Sequence, residues 1–453
     1  MPGLAVIFAC GIGTPAGAQT LTQALSTVYA SHPTLLAARA QLRATDEGVP
    51  QALSGWRPTV SVTGGYGASD TKSRNRVSQD GQNLSVYNDL NSSPANGAVV
   101  LSQPIYQGGR TVASTRRAEA LVLAGRARLL ATEQSVLYDA VVAYVGVVRD
   151  AELLRLNEDN VRVLGQQSSA TDRRLRAGEV TRTDALQAES RLATAEGARA
   201  AAAGTLGTSR ATFQRTIGAP PGALTAPQPL RPVAPNLVAL RAAAAAENPL
   251  VVAALFDDRA ARDAIDVQFS QLLPQISLEG QVFRNVNAGA RGSRTTGQSV
   301  TASVSVPIFQ GGAEYSAVRQ ARSTAQQTRR LIDDQRLVAV QSAVAAWEGG
   351  IAGRAQIETS RRAIRAYDAA LDGVQREALI GSRTTLDLLN AELELLGART
   401  ALIRAAADTV VTSYAAAASI GRLTAADLHL PVEFYDWEVH YRAVRNRLVG
   451  LGN

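Results

Sequence analysis

The residues that could do chemistry are few, and most of them fail on spacing. Two segments, SQPIYQGGR (102–110) and SVPIFQGGA (305–313), put paired glycines, Gly108–Gly109 and Gly311–Gly312, between a strand-like run and a helix-like run. That arrangement could cradle a phosphate, but the Gly-Lys-Ser/Thr ending of a phosphate loop is missing, because Arg110 and Ala313 follow. The glycines read instead as swivels where a strand becomes a helix, a task that uses glycine's wide φ range. His32, His429 and His440 are the only histidines, and none sits in a recognisable serine or cysteine nucleophile motif. His429 and His440, eleven residues apart, make a poor metal pair. No paired catalytic carboxylates, nucleophile elbow or dinucleotide fingerprint occurs. The reading is a non-enzyme with no cofactor and no metal. Three charged residues remain: Asp184, Arg383 and Asp387, each just past a glycine turn at Gly178 or Gly381. An aspartate at a helix start is favoured by the macrodipole whatever else it does.

The elements that place these residues come from an internal duplication, which is the first thing to look for. Residues 24–61 align with 239–277: Pro33 pairs with Pro249 and Pro58 with Pro274, each 216 apart, and Gly64 with Gly280 keeps that spacing. From Pro104/Pro307 onward the spacing is 203 and holds through Gly178/Gly381, Asp184/Asp387, Glu189/Glu392 and Gly218/Gly421. A single 13-residue difference therefore falls between Gly64 and Pro104.

Between Pro104 and Pro220, and again between Pro307 and Pro431, there is no proline, and Ala, Leu, Arg, Glu and Gln dominate. Gly146 and Gly349 are tolerable inside such helices. Gly178 and Gly381 are C-caps, each followed by Thr and Asp start signals for a second helix. Arg110 to Ala177 alone would run roughly 100 Å at 1.5 Å per residue. Leu154, Val161, Ser168 and Leu175 step by seven, matched by Ile357, Ile364, Leu371 and Ala378; Leu386, Leu389, Leu393 and Leu396 continue a 3-4 spacing. Each half thus carries an antiparallel coiled-coil hairpin.

Between these helices lie strands. Segment 298–308, QSVTASVSVPI, alternates strictly, as does 274–283, PQISLEGQVF; 58–66 and 97–106 are less regular counterparts. Lengths of about ten residues suit a membrane β-strand, and Glu279 falls on the face that would line water. The joining segment 67–96 reads as a long polar loop and 284–297 as a short one. Four strands on one chain have open edges, which lipid does not tolerate, so closure demands further copies. Two copies give eight strands and three give twelve.

No run of about 18 uncharged apolar residues follows the N-terminus, which argues against a helical span. Residues 1–18 read as a signal peptide, with LAVIFACGIG as the apolar stretch and Ala16-Gly17-Ala18 before cleavage; Cys10, the one cysteine, is an alternative lipidation point. The formal charge is +7, but 45 of the 46 basic residues are Arg, Lys72 being the exception, and they are interspersed among 39 acidic ones. That distribution argues against nucleic-acid binding. The expected layout is 1–18 signal; 19–218 first repeat, with a β-hairpin over 57–106 and helices over 110–217; 219–236 linker with six prolines; 237–421 second repeat, with a β-hairpin over 274–308 and helices over 313–421; and 422–453 tail. The tail aromatics Tyr435, Trp437 and Tyr441 are expected to pack a small satellite core.

The sequence resembles the TolC family of outer-membrane efflux and type I secretion channels. The resemblance covers residues 20–442 and rests on WRPTVSV and LLPQISL, on PIYQGG and PIFQGG, on AGEVTRTDALQAESRL (177–192) and IGSRTTLDLLNAELEL (380–395), and on the tail LPVEFYDWEVHYRAVR (430–445). It implies a homotrimer with an α-barrel and a shared twelve-stranded β-barrel in outer-membrane lipid. A periplasmic adaptor (membrane fusion protein) would dock at the tips, around Gly178, Gly381, Val180 and Thr384, above an inner-membrane ABC, RND or MFS transporter. It further implies that Asp184, Arg383 and Asp387 occupy positions of the periplasmic gate. Ala378 stands where a gate tyrosine is expected and Asn390 where a second aspartate ring is expected, so fewer bonds should hold this gate. A soluble periplasmic coiled-coil scaffold or adaptor is the alternative.

Overall fold

The computed structural model describes residues 18–79, 81–288 and 290–450, so residues 1–17 of the expected signal peptide, Cys10 among them, lie outside the described residues. The chain divides into two compact units.

The first unit comprises residues 18–42, 125–253 and 332–436. It opens with α1 (Leu21–Ser31), capped by a Thr20/Gln23 capping box, and the start of α2 (Pro33–Asp46). It contains the greater part of two helices of identical length, α4 (Arg110–Arg176) and α8 (Ala313–Leu379), 67 residues each. Each turns back into a shorter partner, α5 (Arg182–Ile217) and α9 (Thr385–Ser419). The expected pair of helices per half is present, and Gly146 and Gly349 lie within unbroken helix. α6 (Leu237–Glu247) and the start of α7 (Pro249–Phe269) repeat α1 and α2, with Pro33 and Pro249 each taking the first helical position, where a missing N–H costs nothing.

The stretch from Leu237 to Leu272 is apolar and long enough, by composition, to cross a membrane. It breaks at Asn248–Pro249, and Leu240, Ala244 and Val251 are buried against Ala339, Ala343 and Ile420 of the same unit. The main core gathers Leu25, Val28 and Leu35 with Leu137, Tyr144, Phe213, Ile217 and Leu423. The linker 219–236 has neither helix nor long strand, but it is anchored: the Tyr144 hydroxyl donates to the carbonyls of Gln19 (2.7 Å) and Thr225 (2.8 Å), and Leu230 N–H donates to Ser413 Oγ (2.9 Å). The Tyr435 N–H donates to the Tyr29 hydroxyl, and Arg39 lies over both rings. Tyr435 thereby joins the main core rather than a satellite.

The second unit comprises residues 43–124, 254–331 and 437–450. After α3 (Gly48–Leu53) come β1 (Thr59–Tyr66), β2 (Ser69–Gln79), β3 (Gln82–Ser92) and β4 (Ala95–Gln107); after α7 come β5 (Gln275–Val286) and β6 (Arg294–Ser305). One antiparallel sheet runs β1-β4-β5-β6, leaving β1 and β6 as edges. The expectation of a loop over 67–96 is corrected: β2 and β3 form a separate two-stranded ribbon through that segment, held by full backbone pairing and by cross-strand contacts such as Lys72–Asp89 (3.6 Å) and Arg74 over Tyr87. The second hairpin is shorter than 274–308, because β5 begins at Gln275, opposite Ser305, and offers Val306–Ile308 nothing to pair with. β4 passes Pro104 by a register shift before Tyr106, where proline's missing N–H is tolerated.

The registers sort the sheet's two faces. Val60, Val62, Leu101, Val99, Leu278, Val282, Val300 and Val304 share one face, while Ser61, Thr63, Ser102, Ser277, Glu279, Gln281, Thr301 and Ser303 share the other. Val62 and Val300 are each 77% exposed, so nothing among the described residues covers the apolar side there. A water-soluble sandwich would bury that face; this one requires an apolar surrounding. Helix α10 (Trp437–Val444) joins this unit through His440 Nδ1 and Asp46 Oδ2 (3.2 Å) and through Arg445 and Glu119 (3.1 Å).

Candidate functional site: the paired helical tips

The two tips are built alike from the backbone up. At the first, α4 ends with Gly178 in the left-handed region (φ 76°); Gly178 N–H donates to the Leu175 carbonyl (3.0 Å) and Glu179 N–H to the Arg174 carbonyl (2.9 Å). At the second, Gly381 (φ 79°) donates to Ala378 (3.2 Å) and Ser382 to Glu377 (3.0 Å). The second bond of each pair reaches back five residues and the first three, as in a Schellman cap, which satisfies carbonyls that a bare helix end leaves open. Thr181 and Thr384 then cap the returning helices, each through a capping box with the residue three on.

Those third residues are Asp184 and Asp387. Asp184 Oδ2 accepts from Thr181 N–H (3.0 Å) and Thr181 Oγ1 (2.7 Å), while Asp184 N–H donates back to Thr181 Oγ1 (3.2 Å). Asp387 Oδ2 does the same with Thr384, at 3.0 and 2.8 Å, with its own N–H donating to Thr384 Oγ1 at 3.1 Å. These bonds favour the charged form. The Thr181 hydroxyl, then its N–H, holds the Asp184 carboxyl below the usual carboxylate range. For Asp387 the Thr384 N–H leads and the hydroxyl follows. All of this bonding falls on Oδ2.

Arg383 does not meet Asp184 within the chain. Its Nε donates to Glu377 Oε2 (2.8 Å), a bond that raises its pKa further, and the Asp387 charge adds to the effect. The first tip carries the mirror pair, Arg174 Nε to Glu179 Oε2 (3.2 Å). Arg174 and Glu377 are aligned repeat positions, 203 apart, but their partners are not: Glu179 aligns with Ser382 and Arg383 with Val180, so each half makes its own clasp. Val180, aligned with Arg383, is half-buried, and Thr384 is exposed.

Below the tips the two halves meet. Leu164, Ala188, Ala195 and Leu389 form a buried cluster with Val161 and Leu192 against it. Arg191 Nη2 donates to Asn390 Oδ1 (3.1 Å), the residue that departs from the family's second aspartate. Sequence reasoning missed Arg191, because neither residue's type says that these two positions of α5 and α9 face one another. Glu392, nearby, has Oε2 buried without a partner, and burial lifts its carboxyl above the usual range. Arg399 ties α9 back to α8 through Asp368 (3.0 Å). The glycine pairs sit far from this chemistry in sequence: Gly108, Gly109, Gly311 and Gly312 all have positive φ, from 61° to 87°. Among the described residues no cluster of histidine, cysteine and carboxylate groups is suited to a metal ion.

An open-edged β-sheet with one apolar face, in a chain that also carries paired long helices, defines a protomer of an outer-membrane channel. The chain belongs to the outer membrane efflux protein family, whose model matches residues 24–219 and 240–422. It is 34% identical to the outer membrane efflux protein BepC of Brucella suis over 440 residues, covering 97% of this chain and 93% of that protein. It is 26% identical to the alkaline protease secretion protein AprF of Pseudomonas aeruginosa, covering 73% and 70%. The fold matches the CmeC outer membrane channel of Campylobacter jejuni with a TM-score of 0.75 at 14% identity, over 94% of this chain and 89% of that one. The protein is thus an outer-membrane efflux channel with its helices in the periplasm, and the soluble-scaffold alternative finds no support.

Proposed function

We propose that three copies of the chain close into an exit duct for a tripartite efflux pump or a type I secretion system, and that its periplasmic gate lies at the paired tips. The observation that carries this reading is the division of labour at Asp184 and Arg383. The cap uses Asp184 Oδ2 and the clasp uses Arg383 Nε, which leaves Asp184 Oδ1 and both Arg383 Nη groups for a neighbouring copy. In the closed state, Arg383 of one protomer bonds Asp184 of the next while Asp387 adds negative charge at the entrance. Charge-assisted bonds of this kind are geometrically specific and readily exchanged for an adaptor's own polar groups.

A periplasmic adaptor docks on the turns at Gly178, Val180, Gly381 and Thr384, displaces these bonds and lets the hairpins untwist as an iris. An inner-membrane transporter of the ABC, RND or MFS type supplies the energy. The similarity to BepC favours efflux and that to AprF favours protein secretion; the conduit serves either. Closure by copies is supported by the unpaired edges of β1 and β6 and by exposed Leu331, Leu337, Val338 and Ile351 along α8.

The test is planar-bilayer conductance of Arg383→Ser and Asp184→Ala channels. Both are expected to conduct severalfold more than wild type; if neither does, these residues are not the gate.

A further inference from the structure

The outer end of the apolar sheet face carries two arginines that no contact among the described residues explains. Arg284 on β5 pairs with Thr296, and Arg294 on β6 pairs with Val286, so both project from the face that holds Val62, Val99, Val282 and Val300. They are diagonal neighbours across two strands, with an expected spacing of about 7–8 Å. Both are exposed, and no ion pair among the described residues uses either one.

Their height is set by the strands. β5 starts at Gln275 directly after helix and β6 ends at Ser305 before α8, so the turn at 287–293 is the end away from the periplasm. From Ile276 to Arg284 is eight residues, roughly 26 Å along the strand, or about 20 Å of height at a tilt near 40°. The apolar band of an outer-membrane barrel is about 25 Å tall. The two guanidinium groups therefore lie where apolar chains of the outer leaflet give way to headgroups.

Beside Arg284 the same rung carries Gly97 on β4 and Gly64 on β1. Neither glycine is demanded by packing: a Cβ at Gly97 would meet nothing nearer than the Thr63 carbonyl at 4.0 Å, and at Gly64 nothing nearer than the Asn96 carbonyl at 3.8 Å. The missing side chains leave a shelf next to a cation, above an apolar floor of Val99 and Val282.

We propose that this shelf binds a phosphate-bearing lipid of the outer leaflet, with Arg284 and Arg294 bridged by phosphate oxygens and the acyl chains lying on the valine floor. Two like charges at this spacing repel, and a phosphate between them converts the repulsion into paired charge-assisted hydrogen bonds. The inference rests on the outer-membrane placement of the sheet and is independent of the gate.

The experiment titrates purified full-length protein in dodecyl maltoside with bisphosphoryl lipid A and follows binding by native mass spectrometry. The double variant Arg284→Gln/Arg294→Gln is expected to lose about tenfold or more in apparent affinity. Arg291→Gln, in the turn, is expected to bind as wild type, and dephosphorylated lipid A to bind no better to wild type than to the double variant. Equal affinity for bisphosphoryl lipid A in wild type and double variant overturns the proposal, and so does full competition by millimolar inorganic phosphate, which marks a free-anion site. Gly97→Leu keeps both charges and fills the shelf; if that variant assembles and binds unchanged, the shelf is not the site. Heat-modifiable migration and channel conductance report the outer-membrane placement separately from lipid binding.

Discussion

At the scale of single residues, the tip aspartates do two jobs that can be pulled apart. Thr384→Val removes the hydroxyl half of a capping box and keeps the Asp387 charge. It is expected to cost about 1 kcal/mol of local helix stability, read as faster amide exchange over the first turn of α9, with entrance charge unchanged. Acid should reproduce the effect with a defined sign. Because the native carboxyls of Asp184 and Asp387 are held below their ordinary values, the caps are fully effective above the usual carboxylate range and weaken as pH falls through the depressed native values. Amide protection at both tips, taken relative to the intrinsic exchange rate at each pH, should therefore be highest at neutral pH and fall in acid. Glu392 has the opposite sign. Its native carboxyl is raised by burial, so ionisation opposes the fold and stability declines as pH rises through the shifted value. Glu392→Gln is expected to raise the thermal midpoint at neutral pH, by the equivalent of about 0.5–1 kcal/mol after allowing for its partial exposure. A lowered midpoint would mean that the carboxylate has a partner in the assembled channel.

At the scale of elements, the two swivels differ in a way the repeat alone does not disclose. All four glycines have positive φ, but a Cβ at Gly108 would stand 2.5 Å from the Ser270 carbonyl oxygen, whereas one at Gly311 would meet nothing within 4 Å. Gly311→Ala should cost only the left-handed strain, about 1 kcal/mol, and assemble normally. Gly108→Ala adds a backbone clash and should sharply reduce the heat-resistant form in outer membranes, as seen on gels of unheated samples. The helices were legible because proline and glycine punctuate them: Gly178 and Gly381 mark the turns, and Thr181 and Thr384 mark the restarts. β2 and β3 were not legible. Segments such as Ser69–Gln79 are polar on both faces, so period-two alternation, the signal that revealed β6, is absent. The Arg191–Asn390 bond escaped for another reason: it joins residues 199 apart, and single-residue properties do not encode which helix faces which.

At the scale of the whole molecule, the sheet has an edge problem. The sheet runs β1-β4-β5-β6 with nothing beside β1 or β6, and its apolar face is bare. Lipid tolerates neither open edges nor partial closure, so copies must join β6 of one chain to β1 of the next. The sequence contains one cysteine, Cys10, within the expected signal peptide, which makes the closure directly measurable. Val60→Cys on β1 would be combined in turn with cysteine at Gln298, Val300 and Ala302 on β6, in outer membranes, and oxidised. At least one pair is expected to give a disulfide ladder on denaturing gels that ends at three chains, with nothing larger, as a closed twelve-stranded barrel requires. A ladder that stops at two chains, runs past three, or never forms at any of the three registers would contradict it.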